Sequence, residues 1–242
     1  MTPQDFAAIY ERFEAPIARF DCGRKCAPLN GGDPVCCSTR DAVPVVDKAE
    51  FKLLQGRTSL WSRFKPYDFA TRKIVDELAT SCCAIECKGA RFCERQNRTI
   101  ACRSFPFFPY FNRQKQFIGL SVYWVFEDRC WMMSHLELVE QAFIDEFAAA
   151  FRAIFAKDKT ELETFIEFSA SMRRVFTRRR RKLPILSLDG KLMIIDPGRP
   201  TPRVGRRNEL PKWGPFRNEA AYRRAVREAG GTLPAEGLAP VT

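Results

Sequence analysis

The stretch Cys93–Phe108, CERQNRTIACRSFPFF, decides how the chain is read. Its two cysteines are separated by eight residues, arginines follow both, and a block of Phe and Pro comes next. Three chemistries fit such a segment: a structural thiol packed beside aromatic core, a disulfide, or a metal site whose last ligand, Cys102, sits in a rigid apolar surround. Working outward, Phe20–Cys37, FDCGRKCAPLNGGDPVCC, has the same character. Gly31, Gly32 and Pro34 break any regular element there, and its apolar content builds no core of its own. It reads as a loop folded around something.

Cysteine usage sets the weight among the three. There are ten cysteines in 242 residues. Cys22 and Cys26 are separated by three residues, Cys36 and Cys37 are adjacent, and a later group holds Cys82, Cys83, Cys87, Cys93 and Cys102. Cys130 stands apart beside Trp131 and reads as a packing thiol, since cysteine is often buried. The opening MTPQDFAAIYERFEAPIARF lacks the basic region and apolar run of a secretory signal. No apolar stretch reaches membrane-spanning length, so a cytoplasmic home and no transmembrane segment are expected. In a reducing compartment, dense cysteines favour metal or redox chemistry over a disulfide scaffold. Thiolates are soft, anionic donors suited to zinc and to iron–sulfur centres.

On these residues the chain resembles the zinc- or iron-chelating cysteine-cluster family, described as a CxxCxxCC-type domain. The early half is CGRKC at Cys22–Cys26 with the pair Cys36–Cys37; the later half is Cys83, Cys93, Arg98 and Cys102, running as CRSFP to Pro106. The likeness covers roughly Phe20 to Pro109. APLNGGDPV fills a gap that is shorter in the family, and Thr99 stands where a proline is usual. The resemblance implies metal ligation by Cys22, Cys26, Cys36, Cys37, Cys83, Cys87, Cys93 and Cys102, with Cys82 as the alternative to Cys87. The implied cofactor is an iron–sulfur cluster or zinc, and the implied function is metal binding with a metal-handling, redox or partner-binding role. An iron–sulfur-dependent enzyme, such as a protein-modifying methylase, is the alternative, although no glycine-rich S-adenosylmethionine motif or catalytic set is visible.

The remaining sequence supplies braces. Thr2, Pro3 and Asp5 start a helix whose Phe6, Ile9, Phe13 and Ile17 recur at helical spacing. Short helices are expected over Asp47–Gln55 and Thr71–Leu78, and a strand over Lys115–Phe126, KQFIGLSVYWVF. Two capping patterns, SHLE at Ser134 and TELE at Thr160, start two helices joined by AKDK. ILSLDGKLMIID predicts a hairpin turning at Asp189–Gly190, and a short helix is expected over Asn218–Glu228. The expected fold class is α+β: cysteine-rich metal-binding loops braced by helices and a small antiparallel sheet. The expected domains are 1–132 (cysteine cluster), 133–183 (helical hairpin) and 184–242 (β-hairpin and basic tail). The net charge of +11 and the run Arg178–Lys182 admit an acidic protein or nucleic acid as partner. A basic polyanion-binding module with a structural metal is the third reading.

Overall fold

Side-chain caps fix where most helices begin. In the computed structural model, which describes residues 1–199 and 201–234, the helices in chain order are α1 (Pro3–Tyr10), α2 (Gly23–Cys26), α3 (Lys48–Arg57), α4 (Phe69–Asp76), α5 (Ile100–Ser104), α6 (Gln141–Lys157), α7 (Lys159–Arg178) and α8 (Glu219–Glu228). The strands are β1 (Val45–Asp47), β2 (Trp61–Arg63), β3 (Cys82–Cys87), β4 (Phe107–Phe111), β5 (Phe117–Val122), β6 (Leu183–Ser187), β7 (Leu192–Ile195) and β8 (Arg203–Val204). Thr2 and Asp5 exchange hydrogen bonds in a capping box at the start of α1. Asp47, Asp68 and Asn218 cap α3, α4 and α8. The first helix stops at Tyr10 instead of reaching Ile17, because Pro16 inside it would remove a hydrogen bond and clash with the preceding turn. Ser134 does not cap a helix. Its hydroxyl accepts from Trp213 N–H at 2.9 Å, residues 136–138 form a 3-10 turn, and α6 begins at Gln141. Asp158 both ends α6 and caps α7, accepting from Glu161 N–H at 3.0 Å.

The chain divides into two units, residues 1–14 with 33–105, and residues 15–32 with 106 onward. In the first, β3 is the centre of an antiparallel sheet ordered β1-β3-β2, with Val46 opposite Cys83 and Trp61 opposite Cys87. Helix α1 packs on α3, and Phe6, Ile9, Phe13, Phe51, Leu54 and Ile85 are buried.

The second unit is built on phenylalanine. Its antiparallel sheet runs β4-β5-β6-β7-β8. Phe143, Phe147, Phe151 and Phe155 recur every four residues on α6, so they stand in one row. Phe147 and Phe151 meet at 4.5 Å between ring centres; Phe107 meets Phe143 at 5.7 Å, Phe111 meets Phe155 at 5.5 Å, and Phe151 meets Phe165 of α7 at 5.5 Å. Edge-to-face and offset rings of this kind add to the area they bury. The β6–β7 hairpin forms as the Asp189–Gly190 pair predicts, with Gly190 at φ +75°.

The expected fold class is corrected. The fold is mixed α and β with two antiparallel sheets among the described residues, and metal-binding cysteine loops do not form. Cys82, Cys83 and Cys87 lie along β3, Cys102 lies in α5, and Cys26 closes α2. The pleat of β3 sends the neighbours Cys82 and Cys83 to opposite faces. Among the described residues, no helix is long and apolar enough to cross a membrane.

Gly119 of β5 sits opposite Ser187, and a Cβ there would run into the Leu186 carbonyl and the Ser187 Cα of β6. Gly119→Ala should therefore destabilise the fold by about 1–3 kcal/mol. Denaturant unfolding monitored by tryptophan fluorescence checks it; an unchanged midpoint would contradict the tight β5–β6 contact.

Candidate thiol site

A series of local hydrogen bonds folds Cys93–Cys102. Asn97 Nδ2 donates to Glu94 Oε2 at 2.6 Å, while the Asn97 carbonyl accepts from Trp61 Nε1 at 2.8 Å. Thr99 caps α5, its hydroxyl accepting from Cys102 N–H at 3.0 Å. This bend brings Arg98 back onto Cys93: Nε donates to Sγ at 3.1 Å. Burial opposes the Arg98 charge. The contact with Cys93 and the fields of Cys93, Cys37 and Cys36 outweigh it, so the guanidinium is held above its ordinary pKa.

Arg103 fixes the same bend from the other side. Its Nε donates to the Arg98 carbonyl at 3.0 Å and a terminal nitrogen donates to the Gln96 carbonyl at 2.7 Å. Its other terminal nitrogen reaches the Phe13 carbonyl, and its guanidinium lies 4.5 Å from the centre of the Tyr10 ring. Beneath it, Glu50 of α3 is buried, and one of its carboxyl oxygens accepts twice, from Tyr10 hydroxyl at 2.6 Å and from Ile100 N–H at 2.7 Å. Burial pushes the Glu50 carboxyl up to about 7, against the two donors that favour its charge.

Five thiols of the first unit share this electrostatic neighbourhood. Cys102 feels Cys37, Cys87 and Arg98; burial is the main cause that pushes it up to about 12. Cys87 is raised by burial, opposed by the Gly89 N–H donating to its sulfur at 3.4 Å, with Cys37 and Cys93 adding to the rise. Cys36 and Cys37 sulfurs lie 3.9 Å apart. Cys83 is buried in the sheet, with its thiol raised chiefly by that burial. Cys22 and Cys26 belong to the second unit, as does Cys130. None of the ten cysteines, all of them among the described residues, is in a disulfide.

The metal-chelating reading does not survive this geometry. Among the described residues, no group of three or more His, Cys, Asp or Glu side chains is placed to hold a metal ion. Cys93 Sγ accepts from Arg98 Nε, Cys87 Sγ accepts from Gly89 N–H, and the Cys36 and Cys37 sulfurs lie side by side. Zinc, an iron–sulfur cluster, the metal as partner and the iron–sulfur methylase alternative are corrected with it. The likeness to the cysteine-cluster family thus stops at its motif and does not extend to its defining site. The polyanion reading is corrected too, because the basic run is not one open face. Arg181 pairs with Glu127 at 2.8 Å and Lys182 with Glu209 at 3.3 Å, leaving Arg178, Arg179 and Arg180 exposed at a helix end. No family model, curated protein or solved structure matches the chain.

Sequence reasoning missed Glu50. Its signal was a carboxylate four residues before Leu54, on the buried stripe of α3 that also carries Phe51. A carboxyl raised to about 7 from its ordinary 4.5 contributes stability fully present below pH 4.5 and lost as pH rises through about 7. Glu50→Gln keeps an acceptor oxygen for Tyr10 and Ile100 and cannot ionise. The unfolding free energy of Glu50→Gln relative to wild type should grow by roughly 3 kcal/mol between pH 4.5 and pH 8. Denaturant titrations across that range measure it; a flat difference would contradict the buried acid.

Proposed function

We propose that this chain is a thiol-based redox protein that works without metal, cycling a dithiol of its first unit through a disulfide. The observation that carries the reading is the Arg98 guanidinium donating to Cys93 Sγ at 3.1 Å within the field of Cys36 and Cys37. A cation beside a sulfur stabilises the negative charge it bears as a nucleophile. Cys93 is half-buried, so an incoming disulfide can reach it.

The exchange runs in two steps. Cys93 Sγ attacks a low-molecular-weight disulfide such as glutathione disulfide, forming a mixed disulfide and releasing one thiol. Cys87 Sγ, whose field reaches Cys93, then attacks Cys93 Sγ and releases the second thiol. Two S–H bonds of the protein are lost, one S–S bond forms, and two electrons and two protons pass to the oxidant. Gly89 N–H supports charge on Cys87 during its attack. Cys102, at about 12, stays protonated at neutral pH and takes no part as a nucleophile. A pair that is reduced at rest and oxidised on demand fits a reducing compartment, and the cytoplasm is the setting we propose.

Arg98→Gln removes the cationic donor that faces Cys93 Sγ, so iodoacetamide should alkylate Cys93 several-fold more slowly in the variant. Peptide mapping after treatment with glutathione disulfide should recover Cys87 linked to Cys93. Equal alkylation rates, or an oxidised protein in which these two cysteines are never joined, would overturn the reading.

A further inference from the structure

The second unit holds a thiol set of its own. Cys22 is the N-cap of α2 and Cys26 is its last residue, so they stand about one helical turn apart. Cys26 is 4% exposed and lies in an apolar core with Phe216, Tyr222 and Val226, against which Trp131 packs. Cys130, the residue before Trp131, is buried too, and its thiol lies in the field of Cys26 first and Cys22 second. Helix α2 packs on the turn at Trp131–Ser134 that follows it. Cys22 is the half-buried member of the three. Among the described residues the Tyr222 hydroxyl, buried at this core, has no hydrogen-bond partner. Its proton is held tightly by burial and then by the field of Cys26, which pushes it up to about 12.

We propose that these residues form an inward redox relay, in which Cys22 takes up an external disulfide and the bond is passed on to join Cys26 with Cys130. The relay is separate from the exchange proposed for the first unit. Cys22 Sγ attacks glutathione disulfide; that S–S bond breaks, a mixed disulfide forms on Cys22, and one glutathione leaves with the proton. Cys26 Sγ attacks Cys22 Sγ, and the second glutathione leaves. Cys130 Sγ attacks Cys26 Sγ, returning Cys22 to the thiol. In sum, Cys26 and Cys130 each lose a proton and an electron, and one glutathione disulfide becomes two glutathione thiols. The unpartnered Tyr222 hydroxyl donates to the Cys26 thiolate, which otherwise has to form its charge inside an apolar core. The product ties α2 covalently to the Trp131–Ser134 turn.

The test uses the reduced full-length chain in glutathione buffer, with samples alkylated over time and mapped by mass spectrometry. Cys26 linked to Cys130 is the expected end product, preceded by glutathione on Cys22. Cys22→Ser should form the same link at least about tenfold more slowly, because the oxidant then has to reach a buried sulfur. Tyr222→Phe should slow it by several-fold. Should Cys22→Ser fail to fold, the order of species in wild type decides: a Cys26–Cys130 link that appears before any adduct on Cys22 overturns the relay. So do Cys26 and Cys130 that stay separately alkylated in oxidised protein, or a Tyr222→Phe chain that reacts at the wild-type rate. Cleavage before aspartate releases Cys22 and Cys26 on residues 21–32 and Cys130 on residues 128–144, apart from every cysteine of the first unit, so the failure of the relay and that of the Cys87–Cys93 exchange are read separately.

Discussion

One buried carboxyl ties together three helices of the first unit. Glu50 stands on α3, receives the Tyr10 hydroxyl from α1 and receives the first backbone N–H of α5 at Ile100. Three helices thus meet at one acidic side chain, and α5 carries Cys102 and Arg103. An uncompensated carboxylate there would be too costly to bury. The two donors and the nearby Arg103 make it tolerable, and the raised pKa records the cost that remains. Arg103 extends the same arrangement outward, tying the end of α1 to the bend at Gln96–Arg98. The position of Arg98 against Cys93 follows from this support, since a long side chain on an unbraced loop would be spread over many rotamers.

Reactivity then follows from differences among neighbouring sulfurs. Burial raises both the Cys102 and the Cys87 thiol, and a local group opposes each rise, Thr99 at Cys102 and Gly89 N–H at Cys87. Cys93 faces a guanidinium. Thiols that share a neighbourhood but differ in charge support are suited to exchange, where one sulfur attacks, another resolves and a third stays inert.

Single elements were legible in the sequence where they rest on local chemistry, although the expected cysteine-loop fold class was not the one found. The helix start at Thr2, the Asp189–Gly190 turn and the short helix after Asn218 rest on short-range hydrogen bonds whose residues a sequence displays directly. The contacts of Phe143 with Phe107 and of Phe155 with Phe111 on β4 join segments more than 30 residues apart and were not legible in that way. The site was legible as residues and not as chemistry. Cys93, Arg98 and Cys102 were singled out, yet cysteine spacing along the chain says nothing about where each sulfur turns. That depends on long-range contacts such as Trp61 with Asn97 and Arg103 with Phe13, which no motif encodes. Ser134 shows the same limit, because the capping pattern lost to a partner 79 residues away at Trp213.

The most direct measurement is the redox equilibrium of the first unit's thiols, read as the fraction of Cys93 protected from alkylation across a series of glutathione poises. A dithiol that exchanges predicts a single reversible transition with two-electron slope, between roughly −320 and −180 mV. The same curve should be reached from the oxidised and the reduced side. Thiols that remain reduced across the whole range, or that oxidise without return, would contradict the account.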